Sequence, residues 1–239
     1  MKIGRVIFIA GFKVLAALCL TIAAQQNPQV LIRTELGDIR AGIFESTAPV
    51  TASNFLRYVD ENRYEGATFY RVLRLDNQPE TPFKVELIEG GLRLDARSKR
   101  FSPIPHETTA RTRVLHKDGT LSLARSGLGS AGSEFFICIN DQPEMDFGGR
   151  RNPDGQGYAA FGRVIEGMNI VRRIQQMPTD GQVLIQKVRI KNIVRIPRLI
   201  QNLDGQFPGI TLKRETADKE RARAIGRKAF RRPTLREER

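Results

Sequence analysis

Thr68-Phe69-Tyr70-Arg71-Val72-Leu73-Arg74-Leu75 is the stretch on which both fold and site turn. If side chains alternate with a period of two along an extended chain, Phe69, Arg71 and Leu73 share one face and Tyr70 and Val72 take the other. A guanidinium then lies between two apolar neighbours. Two readings stand at this point: an edge-strand arginine whose stem covers apolar surface while its head stays in water, or a cation fixed on a rigid sheet over a groove.

Upstream, Val30, Ile32 and Thr34 alternate, Glu35-Leu36-Gly37-Asp38 makes a turn, and Ile39, Ala41 and Ile43 alternate again, which predicts a hairpin. A helix follows, with Thr47 as N-cap, Pro49 in the first turn, and Ala52, Phe55, Leu56 and Val59 on one face. Tyr64-Glu65-Gly66 then turns into the opening stretch. Downstream, Val85 to Ile88 reads as a strand ending at Glu89-Gly90-Gly91, where paired glycines imply a bend or the close approach of another segment. Thr120 to Arg125, Glu134 to Ile139 and Ala159 to Val164 read as further short strands. Ile170, Val171, Ile174 and Met177 mark a second helix stopped by Pro178, and Val188, Ile190 and Ile193 to Ile196 supply closing strand material. Many short strands with two isolated helices, and no regular alternation of strand and helix, point to a mostly β protein with an antiparallel sheet closed into a barrel.

Several function classes drop out. Gly127-Leu128-Gly129-Ser130-Ala131-Gly132 matches the dinucleotide fingerprint in form, but it runs into the β-rich Glu134 to Ile139 rather than a helix N-terminus that could hold pyrophosphate. His106 and His116 stand apart from any cysteine and give no metal-ligand spacing, so neither metal nor cofactor is expected. Cys138 sits in an apolar strand and reads as a small buried hydrophobe.

The 239 residues carry a formal net charge of +13, with 40% hydrophobic and 27% charged residues, so the chain can build a sizeable core. Lys2 and Arg5 precede apolar runs that end in small residues at Ala23 and Ala24, which predicts a secretory signal peptide over residues 1–24 and export, in a bacterium to the periplasm. Lys13 interrupts the apolar stretch, and an uncleaved membrane anchor is the alternative. From residue 197 to 239 the chain is a basic tail, with Arg221, Arg223, Arg227, Lys228, Arg231 and Arg232 prominent. It reads as solvated, or as an arm for an anionic membrane surface or an acidic partner; Phe230 is its lone aromatic over this run, which argues against nucleic acid.

Taken in order, Thr34-x-x-Gly37, Ala48-Pro49-x-Thr51-x-x-Asn54-Phe55, Tyr64-x-Gly66-x-x-Phe69-Tyr70-Arg71-Val72, Ile88-Glu89-Gly90-Gly91, Gly119-Thr120-Leu121-Ser122-Leu123-Ala124-Arg125, Gly132-Ser133-Glu134-Phe135-Phe136-Ile137 and Phe161-Gly162-Arg163-Val164 resemble the cyclophilin-type peptidyl-prolyl isomerases. The resemblance covers Val30 to Ile196, sets a domain over residues 28–196, and implies an eight-stranded antiparallel barrel capped by two helices, with a peptide groove on one outer face and proline-containing polypeptides as substrate. It implies that Arg71 is catalytic, that Leu87, Phe136 and Met145 line a proline pocket, and that Ala124 offers a backbone contact to the peptide. Tyr70, Glu89, Arg125, Glu134 and Tyr158 fall on the remaining substrate-binding positions, where the family usually has His, Gln, Asn, Gln and His; Glu144 stands where it usually has Trp. Glu89, Glu134 and Glu144 together suggest an acid-rimmed groove that favours basic residues beside proline. The alternative reading is a peptide-binding chaperone or assembly factor with reduced or lost isomerase activity.

Overall fold

Antiparallel pairing of short strands closes the chain into a barrel. The computed structural model describes residues 27–93 and 98–197; the expected signal peptide and the tail beyond Pro197 lie outside the described residues. β1 (Gln29–Thr34) and β2 (Gly37–Ile43) form the predicted hairpin, paired from Gln29↔Gly42 to Thr34↔Gly37. The Thr34 hydroxyl donates to the Gly37 carbonyl at 2.6 Å, and Gly37 has φ 137°, a conformation open chiefly to glycine.

β3 (Thr68–Leu73), β4 (Leu87–Gly91), β5 (Thr120–Leu123), β6 (Phe135–Cys138) and β7 (Ala159–Glu166) follow, and β8 (Thr179–Asp180) leads into the long β9 (Val183–Ile196). In space the order is β1-β2-β7-β5-β6-β4-β3-β9, and a β1–β9 pairing closes the ring of eight; the two-residue β8 pairs with β9 alone. The expected barrel is thus the fold. Strand β4 runs on through Glu89-Gly90-Gly91, which the sequence places after it. A Cβ on Gly90 would meet Phe69 Cδ1 at 2.7 Å and the Thr68 carbonyl at 2.8 Å, so the close approach is real and lies inside the sheet.

Helix α1 (Pro49–Asp60) packs against β7 and buries Ala52, Phe55, Leu56 and Val59, as its spacing predicts. Its N-cap is Ala48, not Thr47, and makes no side-chain cap. Glu107 replaces that cap from 56 residues away: its carboxylate accepts from the Thr51 amide at 2.6 Å and the Thr51 hydroxyl at 2.7 Å. A carboxylate at a helix N-terminus meets unpaired amides and the positive end of the helix dipole. α2 (Thr109–Thr112) is a single turn absent from the expectation of two helices, and α3 (Met168–Gln175) is the second expected helix, burying Val171 and Ile174.

The barrel interior is aromatic. Phe55 stands 4.9 Å from Phe161, 5.4 Å from Phe135 and 5.5 Å from Tyr64 between ring centroids, and Phe69 stands 5.8 Å from Phe135. A second, smaller apolar cluster of Leu73, Val85, Leu87, Phe136, Cys138 and Met145 lies apart from this core. Cys138 is fully buried, and burial raises its thiol pKa well above the usual value, in keeping with an unreactive filler.

Replacing Glu107 by Ala leaves the Thr51 amide and hydroxyl without their acceptor inside the protein. The expected loss is about 1–3 kcal/mol of unfolding free energy, read from urea denaturation; an unchanged midpoint would show that the carboxylate does not cap α1.

Candidate active site

One residue of irregularity in β3 builds the site. Phe69 pairs with Gly90, but Arg71 pairs with Glu89, so Tyr70 is an extra residue on its strand. Such a bulge breaks the period of two. Phe69 and Val72 therefore point into the core, and Tyr70 and Arg71 both point outward. The expected grouping of Phe69 with Arg71 is corrected by this offset; that of Arg71 with Leu73 holds.

Registers then line up a row across four strands on the outer face: Arg71↔Glu89, Glu89↔Phe136 and Phe136↔Ser122. The neighbouring row is apolar, with Leu73↔Leu87 and Leu87↔Cys138. Met145, on the 3₁₀ turn Pro143–Met145, and Tyr158 close the far side, Tyr158 standing edge-on to Phe136 at 5.3 Å and 90°. Arg71, Leu73, Val85, Leu87, Glu89, Ala124, Arg125, Phe136, Met145, Arg151 and Tyr158 enclose a pocket of about 100 Å³, room for a small apolar ring.

Arg71 is held from two sides. Its Nη1 donates to Glu89 Oε2 at 3.0 Å, and its Nε and Nη2 donate to Gln182 Oε1 at 3.0 and 2.5 Å. Gln182 donates in turn to the Asn77 carbonyl at 3.2 Å, and its own carbonyl accepts from the Val72 amide at 2.9 Å. The sequence reading missed Gln182, since its place beside Arg71 depends on the β8–β9 turn packing on β3. The side chain of Arg71 is 37% exposed and that of Glu89 13%, so the pair sits at a pocket wall rather than in open water.

Glu89 is braced as well. The Tyr70 hydroxyl lies 3.0 Å from Glu89 Oε1 and 2.9 Å from Glu134 Oε2, and it has one proton to give between them. Burial, then the charges of Glu89 and Glu134, push the phenol pKa far above its usual value, so it remains a donor. Glu134 also accepts from the Ser133 hydroxyl at 2.8 Å and the Arg93 amide at 2.9 Å. Tyr70 and Glu134 do not line the pocket; they stand behind Glu89 and position it.

Arg125 lines the pocket with its guanidinium already engaged. Its guanidinium grips Asp154 through two bonds of 2.7 and 2.8 Å and donates to the Gly157 carbonyl at 2.9 Å, leaving the side chain 3% exposed. Glu144 likewise faces Arg150, at 2.6 Å. The acid-rimmed groove expected from the sequence is therefore a set of ion pairs: Glu89 with Arg71, Glu134 near Arg100 at 3.8 Å, and Glu144 with Arg150.

Beneath Phe136 lies a chain of buried polar groups. His116 Nδ1 is 2.7 Å from Asp146 Oδ1, its Nε2 is 3.0 Å from the Ser122 hydroxyl, and its ring stacks on Phe136 at 6.0 Å. Serine, histidine and aspartate are the residues of a nucleophilic triad, but Ser122 is fully buried and the set serves to support Phe136. Among the described residues no group of histidine, cysteine or carboxylate side chains could hold a metal ion.

A closed antiparallel barrel with a ring-sized pocket on its outer face, where apolar Leu73, Leu87, Phe136 and Met145 meet an oriented guanidinium, is the arrangement of the prolyl-isomerase class. Residues 29–195 match the model for the cyclophilin type peptidyl-prolyl cis-trans isomerase family, and the chain belongs to that family and is an isomerase by that membership. It is 34% identical over 181 residues to peptidyl-prolyl cis-trans isomerase A of Dickeya dadantii, covering 75% of this chain and 88% of that protein. With peptidyl-prolyl cis-trans isomerase B of Escherichia coli it shares 29% over 166 residues, covering 69% and 94%. A crystal structure of a cyclophilin type peptidyl-prolyl cis-trans isomerase from Cryptosporidium parvum has the same fold, with a TM-score of 0.58 at 23% identity over 72% of this chain and 98% of that one.

The Arg125 pair holds the Asp154 pKa down at about 2 from 3.8, with further help from the Gln156 amide. A carboxylate depressed in the folded state contributes stability above its unfolded pKa and loses it as pH falls through the folded value, here between 3.8 and about 2. In Arg125→Ala, the Asp154 resonance in an NMR titration should move its midpoint up toward 3.8; a midpoint still near 2 would show that the arginine is not the cause.

Proposed function

We propose that the protein accelerates cis–trans rotation about X-Pro bonds in proline-containing polypeptides, with Arg71 as the catalytic residue. The barrier to this rotation, about 20 kcal/mol, arises from amide resonance, so no covalent step is needed to lower it. As the bond twists, the prolyl nitrogen loses conjugation and becomes pyramidal, and it gains a lone pair that can accept a hydrogen bond. A donor placed there binds the twisted state better than either planar state, which is the condition for catalysis.

The observation that carries this reading is the donor inventory of Arg71. A guanidinium has five N–H groups, and three are engaged, one by Glu89 and two by Gln182. Two remain. Glu89 thus orients the head without exhausting it, and the apolar row of Leu73 and Leu87 with Phe136 and Met145 offers the proline ring a dry seat beside it.

Arg71→Ala should lower kcat/KM on a proline tetrapeptide by about a hundredfold or more, the usual cost of losing a preorganised donor. Glu89→Gln keeps an acceptor for Arg71 Nη1 and should stay within about fivefold of wild type, since a neutral hydrogen bond retains part of a charge-assisted one. An unchanged rate in Arg71→Ala would remove the mechanism. A rate that rises more than about tenfold in Glu89→Gln would show that the carboxylate restrains the arginine. Tight binding of unfolded chains by a wild type that isomerises none of them would favour the chaperone reading.

Lys2, Arg5 and the apolar runs before Ala24 support export to the periplasm as the place of action, and the cationic run from Arg221 to Arg232 supports docking of the tail to an anionic membrane surface or an acidic partner. N-terminal sequencing of protein recovered from the producing cell should begin near Gln25; a sequence beginning at Met1 would favour the uncleaved anchor.

A further inference from the structure

Three arginines line the pocket, and they are not in the same state. Arg71 faces Glu89, and Arg125 faces Asp154. Arg151 faces no carboxylate: among the described residues its guanidinium donates once, from Nη1 to the Phe83 carbonyl at 3.0 Å. Its neighbour Arg150 takes Glu144 through two bonds, so consecutive residues of one loop differ in having and lacking a counter-charge. Arg151 is also half-buried against the pocket. Burial lowers its pKa first, Tyr158 opposes that, and the nearby positive charge of Arg71 lowers it further.

A guanidinium stays charged in proteins, so a half-buried one without a counter-ion carries an uncompensated cost of lost hydration. Glu89 is the single carboxylate in the pocket lining, and Arg71 and the Tyr70 hydroxyl already engage it. The wall is therefore short of one negative charge. We propose that Arg151 is a specificity-determining residue that binds a carboxylate carried by the substrate close to its proline, either an acidic side chain flanking the proline or a free chain terminus following it. This rests on the isomerase reading and reverses the preference for basic flanks that the sequence suggested. A carboxylate offers a planar pair of oxygens to the unused N–H groups of Arg151, and the two-pronged geometry favours it over a neutral amide.

The test measures isomerisation by exchange NMR on amidated Ala-Ala-Pro-Ala, on versions with Glu, Gln or Lys immediately before or after the proline, and on Ala-Ala-Pro with a free carboxylate or an amide. Wild type should turn over the best-placed Glu peptide, or the free-carboxylate peptide, about tenfold faster in kcat/KM than its Gln or amide counterpart, and the ratio should shrink with added salt. In Arg151→Gln the ratio should collapse to about one, while Arg151→Lys should keep part of it because it keeps the charge but not the fork. Ratios are taken within each variant, so a general loss of activity or of folded protein cancels. Which arm shows the effect separates a flanking side chain from a chain terminus. If wild type does not distinguish Glu from Gln or carboxylate from amide, or if Arg151→Gln preserves the ratio, the proposal is wrong. If wild type isomerises no peptide at all, the isomerase reading fails instead, and chemical-shift titration with the same Glu and Gln peptides still decides whether Arg151 prefers the carboxylate.

Discussion

The extra residue at Tyr70 is the constraint on which the rest of the site depends. Without it, pairing that starts at Phe69↔Gly90 would carry on in step, set Tyr70 against Glu89, and turn Arg71 inward toward the aromatic core. A guanidinium there would have to be desolvated among Phe55, Phe135 and Phe69, at a cost that no partner in the core could offset. With the extra residue, the next inward side chain after Phe69 is Val72, one position later than strict alternation would put it, and Arg71 faces Glu89 on the outer surface. The backbone irregularity thus converts a residue that a regular strand would have to bury into one presented at the pocket wall.

Barrel and groove are two faces of the same strands. In β6 Phe135 and Ile137 fill the interior while Phe136 lines the groove and Cys138 is buried in the apolar cluster with it, and in β4 Ile88 goes inward while Leu87 and Glu89 go outward. The pocket therefore inherits the rigidity of the core. Phe136 cannot tilt without disturbing its T-shaped contact with Tyr158 on one side or the His116 ring stacked on the other, and His116 is itself fixed by Asp146 and Ser122. In the proposed mechanism, holding a ring-sized pocket and a donor in fixed relation lets binding energy be spent on the twisted state of the substrate.

Charge around the groove is organised as pairs, and the pairs divide into two kinds. Arg125 with Asp154 and Arg150 with Glu144 fasten the loop that carries Gly148 to Gly157; the Arg150 pair is exposed and adds little to stability, whereas the Arg125 side chain is buried. Arg71 with Glu89 is linked through Tyr70 to Glu134, so that one phenol proton holds the acidic side of the site together. Gly91 makes that linkage possible: its φ is 145°, and a Cβ on it would meet Glu134 Oε2 at 2.5 Å. Arg151, left outside this pairing, is the residue through which the site can tell one substrate from another.

Much of this was written in local pattern. Alternation in β1 and β2, the apolar run of β6, the four-residue face of α1, and the ordered motifs from Thr34 to Val164 determined the barrel, the family and eight of the pocket-lining residues, because each depends on neighbours in the chain or on positions the family shares. What depended on segments far apart in sequence was not legible. Gln182 reaches Arg71 across 111 residues and Glu107 caps α1 across 56, and neither spacing leaves a periodic trace. The acidic residues looked like a negative rim, since composition counts charges but not partners, and only the folded chain brings Arg100 and Arg150 against them. The opening stretch shows both sides: its residues supplied the strand and the arginine, whereas the direction in which Arg71 points was decided by the register of β3 against β4, a property of two strands that neither possesses alone.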